Sequence, residues 1–272
     1  MEALRRIRQR YGYSVILLKQ LVKTDFKLRY QGSVLGYVWS LLRPLLLFVI
    51  LYVVFAKFLK VGNAVPHYPV YLLFGIVLWN FFGEVSVGSV GAVVGKGDLI
   101  RKINFPKYNI IVAVALSATI NLLLNFVVIA IFMVVGHVGI TWQVLWLIPL
   151  LIELFLISIS LGFLLSALFV KFRDVSYIWE VLMQAGFYAT PIIYPLTRIP
   201  YHRVREIILL NPLAQVIQDA RYVLVTHDTI TIYQEFGGDR WIWAIPVSIM
   251  LILIVLGTWY FRSHSKNFAE EV

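Results

Sequence analysis

Six long apolar segments constrain the fold of this 272-residue chain more than any other feature of its sequence. A helix needs about 20 apolar residues to cross the roughly 30 Å hydrocarbon core of a bilayer. The segments meet that length, and they are continuous rather than alternating, which favours helices over a β-barrel. We therefore predict an all-α integral membrane protein with six transmembrane helices. These cover Val34–Ala56, Val70–Val94, Ile110–Val135, Val144–Val170, Val175–Leu196 and Trp241–Phe261.

The overall composition agrees with a membrane protein and excludes several other classes. Hydrophobic residues make up 60% of the chain, charged residues 14%, and the mean hydropathy is +0.83. Soluble domains carry about 25% charged residues, so a soluble fold would expose large apolar patches. The composition also excludes disordered, collagen-like and nucleic-acid-binding arm proteins. We attribute the net charge of +10 to basic loops at a membrane surface and predict no nucleic-acid partner.

Positively charged residues are unevenly distributed among the connections between the predicted helices. Sixteen of the 24 Lys and Arg residues lie in the N-terminal segment, the second-to-third and fourth-to-fifth connections and the C-terminus. Seven lie in the other connections, and Arg43 lies within the first span. Because Lys and Arg accumulate in cytoplasmic loops, we predict that both termini are cytoplasmic. The predicted domains are an interface helix (1–33), one transmembrane domain (34–262) and a cytoplasmic tail (263–272).

Residues 14–30 have the pattern of an amphipathic helix. Lys19, Lys23 and Lys27 repeat every four residues and form one polar stripe, while mostly apolar residues cover the other side. Asp25 and Arg29 interrupt the apolar side, but their i,i+4 spacing lets them pair. The pattern predicts a helix lying in the cytoplasmic interface. The alternative is a simple polybasic tether.

The last outer connection, from about Thr197 to Arg240, has its own internal pattern. A short apolar patch, Ile207–Leu210, is followed by Asn211-Pro212 and by an amphipathic stretch from Leu213 to Val225. Segments of 10 to 14 residues are too short to span a bilayer. They suit re-entrant or short interfacial helices, although a plain surface loop remains an alternative.

The sequence contains no recognisable catalytic, nucleotide or metal site. Gly91–Gly97 (GAVVGKG) resembles a phosphate-binding loop but lacks its spacing and the Ser or Thr after Lys96. The five histidines have no partner at metal-ligand spacing, and there are no cysteines. We predict no catalytic residue, no metal and no cofactor on this chain. If ATP is used, another chain must bind it.

Polar and aromatic residues within the spans are the remaining candidates for function. The carboxyl group of Glu84, in the second span, is costly in a membrane and is either a substrate contact or an interhelical hydrogen-bond partner. Aromatic faces stack on the apolar faces of sugar rings, so a subset of aromatics could line a channel. For each of them, packing or a place in the interfacial belt is the alternative. The candidates are Tyr37, Trp39, Trp79, Phe82, Tyr188 and Tyr194.

Several short motifs, taken together, resemble the ABC exporter permeases for polysaccharides, the family that exports O-antigen, capsule and wall teichoic acid. They occur in the family's order and extend over nearly the whole chain. The motifs are Leu28–Trp39 (LRYQGSVLGYVW), Leu42–Leu45 (LRPL), Asn104–Lys107 (NFPK), Phe172–Val175 (FRDV), Thr190–Pro195 (TPIIYP) and Asn211–Leu213 (NPL).

The resemblance implies a half-transporter in the bacterial cytoplasmic (inner) membrane, with several spans. Two permease chains pair, and two copies of a separate ATPase, which holds ATP and Mg, bind below them. In the family, the N-terminal helix and a short helix in the second-to-third connection contact the ATPase. The positions here that correspond to this coupling are Lys19, Lys23, Lys27, Arg101, Lys102, Asn104, Phe105, Pro106 and Lys107.

The resemblance also implies a route for a lipid-linked polysaccharide. Arg29, Tyr30 and Arg43 are expected at the substrate entrance, where basic groups attract a pyrophosphate, and Lys107 has the same character. Ile207, Asn211 and Pro212 are expected to form the exit gate.

Two alternatives to polysaccharide export remain open at this stage. An ABC exporter permease for drugs or small lipids would confer resistance on overexpression. A membrane-embedded glycolipid transferase would turn over without ATP or an ATPase partner.

Overall fold

A computed structural model describes residues 14–25, 27, 33 and 35–271, and in this part of the chain the regular structure is helical, with no strand. The Arg29 and Tyr30 predictions lie outside the described residues. The helices are α1 (residues 14–25), α2 (Val38–Tyr52), α3 (Tyr68–Val90), α4 (Gly97–Lys102), α5 (Tyr108–Val135), α6 (Leu147–Lys171), α7 (Val175–Ala189), α8 (His202–Leu210), α9 (Pro212–Leu224), α10 (Ile232–Glu235), α11 (Ala244–His264) and α12 (Phe268–Glu271).

Five helical segments are long and apolar enough to cross a membrane. A π-helical turn, Val53–Phe58, extends α2, and short 3-10 segments precede α6 and α11. The prediction of an all-α integral membrane protein is confirmed, and five of the six predicted segments form full-length helices. The five are Val38–Phe58, Tyr68–Val90, Tyr108–Val135, Trp142–Lys171 and Arg240–His264.

The fifth predicted segment, Val175–Leu196, forms a shorter helix than expected. Its helix α7 has 15 residues, which gives about 22 Å at 1.5 Å per residue, less than the hydrocarbon core. The helix ends where Thr190 becomes extended (φ −82°, ψ 138°) before Pro191. Proline lacks an N–H and disfavours the helical conformation of the residue before it. The prediction counted apolar residues on both sides of this break and therefore overestimated the length of the helix. A sixth membrane crossing stays a prediction.

Helix α3 lies at the centre of the bundle. In the apolar stretch of α3, 78% of the residues are buried, against 11% in the corresponding stretches of the α2 and α11 spans. It packs against α2, α5, α6 and α7, and α6 in turn packs closely on α11. At that contact Gly257 lies against the Ser160 carbonyl, so that any side chain at position 257 would collide with backbone.

The two ends of the bundle carry different short helices. At one, here called the α4 end, α12 packs against α4 and α6, and Lys96 joins α1 through Asp25 at 2.9 Å. In α1, Leu21 is buried, while Lys19 and Lys23 are exposed, as the amphipathic pattern predicts. The other end, the α9 end, holds α8, α9 and α10.

Helix α9 is buried rather than lying on the surface. It packs against α3, α6 and α11 and against the Trp142–Trp146 turn before α6. Residues from Pro212 to Arg221 are all buried. The plain-loop alternative is therefore wrong for this segment, which forms α9 instead. Its re-entry into a membrane stays a prediction.

Candidate functional site

A cavity of about 550 Å³ opens between α2, α3, α5 and α7. It brings together four residues that the sequence predicted separately: Trp39, Arg43, Trp79 and Glu84. Most of its other polar lining comes from Ser40 and from asparagines on α3 and α5. The full lining is Trp39, Ser40, Arg43, Pro44, Val77, Trp79, Asn80, Phe81, Gly83, Glu84, Val87, Gly88, Asn121, Leu122, Asn125 and Met183.

Arg43 lies part of the way along the bundle rather than at its end. The rings of Tyr52 on α2 and Tyr68 on α3 stack 6.5 Å apart, which fixes the register of the two helices. Arg43 is nine residues before Tyr52, and Val77 is nine after Tyr68, so both lie about 13–14 Å from that level. Both also line the cavity. Arg43 is the sixth residue of α2, and its place at a substrate entrance stays a prediction.

Hydrogen bonds among residues that line the cavity connect α2, α3 and α5. Asn121 Nδ2 donates to Glu84 Oε1 at 2.6 Å. Asn125 Nδ2 donates to the Asn121 carbonyl at 2.8 Å and to the Ser40 carbonyl at 3.4 Å. Asn121 Oδ1 is buried and has no hydrogen-bond partner within the described residues. Glu84 thus acts in an interhelical network and lines the cavity at the same time.

The predicted aromatic residues divide between wall and core. Trp39 is 46% exposed and forms part of the cavity wall. Trp79 is nearly buried and packs on Phe82 and Phe187, with ring centroids 5.7 and 6.0 Å apart. Phe82 packs on Trp179 at 6.2 Å and does not line the cavity, so its role here is packing.

The other predicted channel residues lie away from the cavity. Tyr37 is exposed in the turn before α2. Tyr188 is 67% exposed on α7, and Tyr194 donates to the Tyr188 and Ala189 carbonyls at 3.1 and 3.3 Å. None of the 15 residues of α7 is buried against the described part of the chain. Its open face carries Tyr177, Val181, Gln184 and Tyr188.

The predicted coupling residues differ in exposure. Lys27, Arg101, Lys102 and Asn104 are exposed, as are Lys19 and Lys23 of α1. Phe105 is 5% exposed and belongs to the main core, so it anchors the segment. Pro106 is half-buried, and Lys107 Nζ donates to the Ser265 carbonyl.

The predicted gate residues surround the start of α9. Ile207 is 68% exposed on α8. Asn211 Oδ1 accepts a hydrogen bond from the Leu213 N–H at 3.0 Å, and the buried Pro212 opens the helix. Asparagine at the N-cap and proline at the first helical position are a favoured way to begin a helix, so this motif has a structural explanation.

Sequence reasoning missed a buried arginine on α9. It counted Arg221 as a loop charge, yet the side chain is fully buried. Its guanidinium donates to the carbonyls of Tyr71 (3.0 Å), Pro191 (2.5 Å) and Ile192 (2.7 Å) and lies 3.6 Å from the Tyr71 ring centroid. The Tyr68 hydroxyl donates to the next carbonyl, that of Ile193, at 2.7 Å. Arg221 and Tyr68 thus hold the break after α7 against α3.

The opposite side of α9 carries a buried acidic residue. Gln215 Nε2 donates to Asp219 Oδ2 at 2.6 Å. Burial raises the pKa of Asp219 to about 7, the Gln215 hydrogen bond opposes the rise, and the nearby Glu153 carboxylate on α6 adds to it. A signal in the sequence was the run of polar residues within an otherwise apolar stretch, namely Gln215, Gln218, Asp219 and Arg221.

Comparison with known proteins identifies the family. The ABC-2 type transporter family model matches residues 16–225. An O-antigen export system permease protein RfbA from Myxococcus xanthus is 27% identical over 99% of this chain and 100% of its own length. One from Klebsiella pneumoniae is 30% identical over 95% and 96%. The polysialic acid transport protein KpsM of Escherichia coli is 24% identical over 78% and 83%. With its several membrane-spanning helices, the chain belongs to the ABC-2 type transporter family.

Proposed function

We propose that this chain is the permease subunit of an ATP-driven exporter that moves a lipid-linked polysaccharide, of O-antigen or capsule type, across the bacterial cytoplasmic membrane. The observation that carries the proposal is the match to relatives named O-antigen export permeases along 95–99% of the chain. Motifs spread from Leu28 to Leu213 agree with it.

The working assembly contains two copies of this chain and two separate ATPase subunits, which bind ATP and Mg²⁺. The open face of α7 and the exposed apolar residues of α2 support pairing, because they flank a cavity that one chain leaves open. On α2 these include Leu46, 53% exposed, and Ile50, 61% exposed. The exposed basic residues of α1 and α4 support an ATPase at the α4 end, and we propose that this end and both termini face the cytoplasm.

The cavity suits passage of a sugar chain. Its volume falls within the roughly 300–1,000 Å³ of ligand pockets. Trp39 offers an aromatic face for the apolar side of a sugar ring, and Asn80, Asn121 and Asn125 offer amides for its hydroxyls.

Arg43 supplies the charge that an anionic linkage needs. Arg43 is the sixth residue of the Val38–Phe58 segment, and charged side chains inside membrane helices are costly and usually functional. Its guanidinium matches phosphate oxygens in a bidentate geometry that lysine does not reproduce. We propose that Arg43 holds the pyrophosphate between lipid and glycan beside the cavity while the ATPases drive the two permeases between conformations.

The substrate proposal is tested by export assays in the native cell. Deleting the chain should remove the surface polysaccharide and cause lipid-linked glycan to accumulate in the cytoplasm. Arg43→Ala should do the same while the ATPase still co-purifies, Arg43→Lys should retain part of the export, and the exposed Arg203→Ala is the matched control. Normal export by Arg43→Ala would remove Arg43 from the mechanism, and normal surface polysaccharide after deletion would refute polysaccharide export.

A further inference from the structure

Helix α4 is too short to hold its own orientation. It has six residues, Gly97–Lys102, of which Gly97 and Ile100 are buried. Isolated helices shorter than about 12–15 residues are marginal in water. The position of α4 therefore depends on what it packs against and on what holds its two ends.

One end is attached to α1. Lys96, the residue before α4, contacts both carboxylate oxygens of Asp25 at 2.9 Å. The two side chains are 20% and 23% exposed, so water screens this ion pair only in part. The ion pair thus joins α1 to the start of α4, and these are the two segments predicted to contact the ATPase.

The connection that follows α4 is attached to the C-terminal segment. Lys107 Nζ donates to the Ser265 carbonyl and lies 5.9 Å from the centre of the Phe268 ring. Phe268 is fully buried and packs on Phe261 at 5.3 Å, and Phe261 packs on Phe163 at 5.1 Å. Through this row of rings, α6 and α11 hold the C-terminal segment, and Lys107 ties the segment after α4 to it.

Helices α4 and α12 also form two sides of one recess. A cavity of about 330 Å³ is lined by Ile100–Phe105, by Lys107 and, from α12, by Ala269. The next two residues, Glu270 and Glu271, are exposed. Helix α12, which packs on α4, thus adds two exposed carboxylates to the end of the bundle that carries the predicted coupling residues.

We infer that residues 265–271 are part of the ATPase-docking surface, in which Phe268 is a positioning residue that holds α4 and its following segment in the orientation the ATPase recognises. The inference rests on the proposed function, because it takes α4 as a docking element. It adds a requirement that the partner present an acidic group toward the exposed Lys102 and a basic group toward the exposed Glu270 and Glu271.

The test uses the full-length permease and the P-loop ATPase that the wild-type chain captures from its native membranes. Phe268→Ala should raise the Kd for that ATPase at least tenfold and speed amide hydrogen exchange in residues 97–107. Because Phe268 is a fully buried member of the main core, its truncation should also lower the melting temperature of the permease alone. Phe268→Leu, which keeps an apolar anchor, should restore binding. The matched control is Phe48→Ala, which truncates another buried Phe of the core, packed on Phe132 of α5; it should lower the melting temperature without changing the Kd.

Two results would overturn the inference. One is wild-type affinity in Phe268→Ala. The other is an equal rise in the Kd of Phe48→Ala, which would make the loss of binding a general consequence of destabilising the core. If the wild-type chain captures no ATPase, the proposed function itself fails, and this outcome is distinguishable because it precedes any comparison of variants.

Discussion

Replacing Arg221 by Met tests the idea that one buried side chain joins α9, α3 and the end of α7. Methionine keeps an apolar stem but removes the three donors that reach the carbonyls of Tyr71, Pro191 and Ile192. A buried acceptor that loses its partner costs about 1–3 kcal/mol, so three of them cost about 3 kcal/mol at the lower limit. For chains near this size, 1 kcal/mol shifts the melting temperature by about 2–4 °C.

We therefore expect Arg221→Met to lower the melting temperature of the detergent-solubilised permease by about 6–12 °C. Tryptophan fluorescence provides the assay. The melting temperature of Arg221→Lys should lie between those of the wild type and Arg221→Met, because an ammonium group cannot reproduce the planar fork of donors of a guanidinium. The exposed Arg203→Met is the control, with an expected effect within about 0.5 kcal/mol.

A double-mutant cycle adds a second check on the same geometry. A methyl group at Gly75 would collide with the Arg221 guanidinium, and its three nearest atoms all belong to that side chain. Gly75→Ala should therefore destabilise the wild type but cost less in an Arg221→Ala background, with a coupling of about 0.5–3 kcal/mol. Additive effects, or an Arg221→Met variant as stable as the control, would refute the reasoning.

Two further variants probe other parts of the bundle. Gly257→Val should separate α6 from α11, because its side chain meets the Ser160 carbonyl; we expect a fall in melting temperature and none for Gly139→Ala, which has open space, and equal behaviour of the two would contradict the close packing. Asp219 has a pKa raised from 3.8 to about 7 in the fold, so the folded state binds more protons than the unfolded state between these values, and its contribution to stability falls as pH rises from about 4 to 7. Asp219→Asn should be more stable than wild type at pH 8 and flatten the thermal-stability profile over that range; an unchanged profile would exclude Asp219 as its source.

The sequence predicted well those features that depend on local properties. Apolar length predicts membrane helices, and five of the six segments formed them. The amphipathic pattern of residues 14–30 predicted a helix, and residues 14–25 form one. The amphipathic stretch that follows Asn211-Pro212 corresponds to α9. The motifs predicted the family, because they occur along the chain in the same order as in the family.

The errors arose where a local pattern met a backbone restriction or a tertiary anchor. Apolar length overestimated α7 because it ignored the effect of Pro191 on Thr190. The contacts of Phe105 with the core and of Lys107 with the C-terminal segment were not predicted, and the role of these residues in coupling stays a prediction. Whether a loop residue faces a partner or its own fold depends on neighbours far away in the sequence.

The sequence by itself determined that the chain is a helical membrane protein, because long apolar segments must satisfy their backbone hydrogen-bonding groups internally in lipid. Its motifs indicated the family. Only the tertiary structure decided which polar residues meet. Arg43, Glu84 and Asn125 line one cavity although they come from three helices. Arg221 is bonded to Tyr71, 150 residues away. Such contacts depend on the register and crossing of whole helices, which side-chain packing sets.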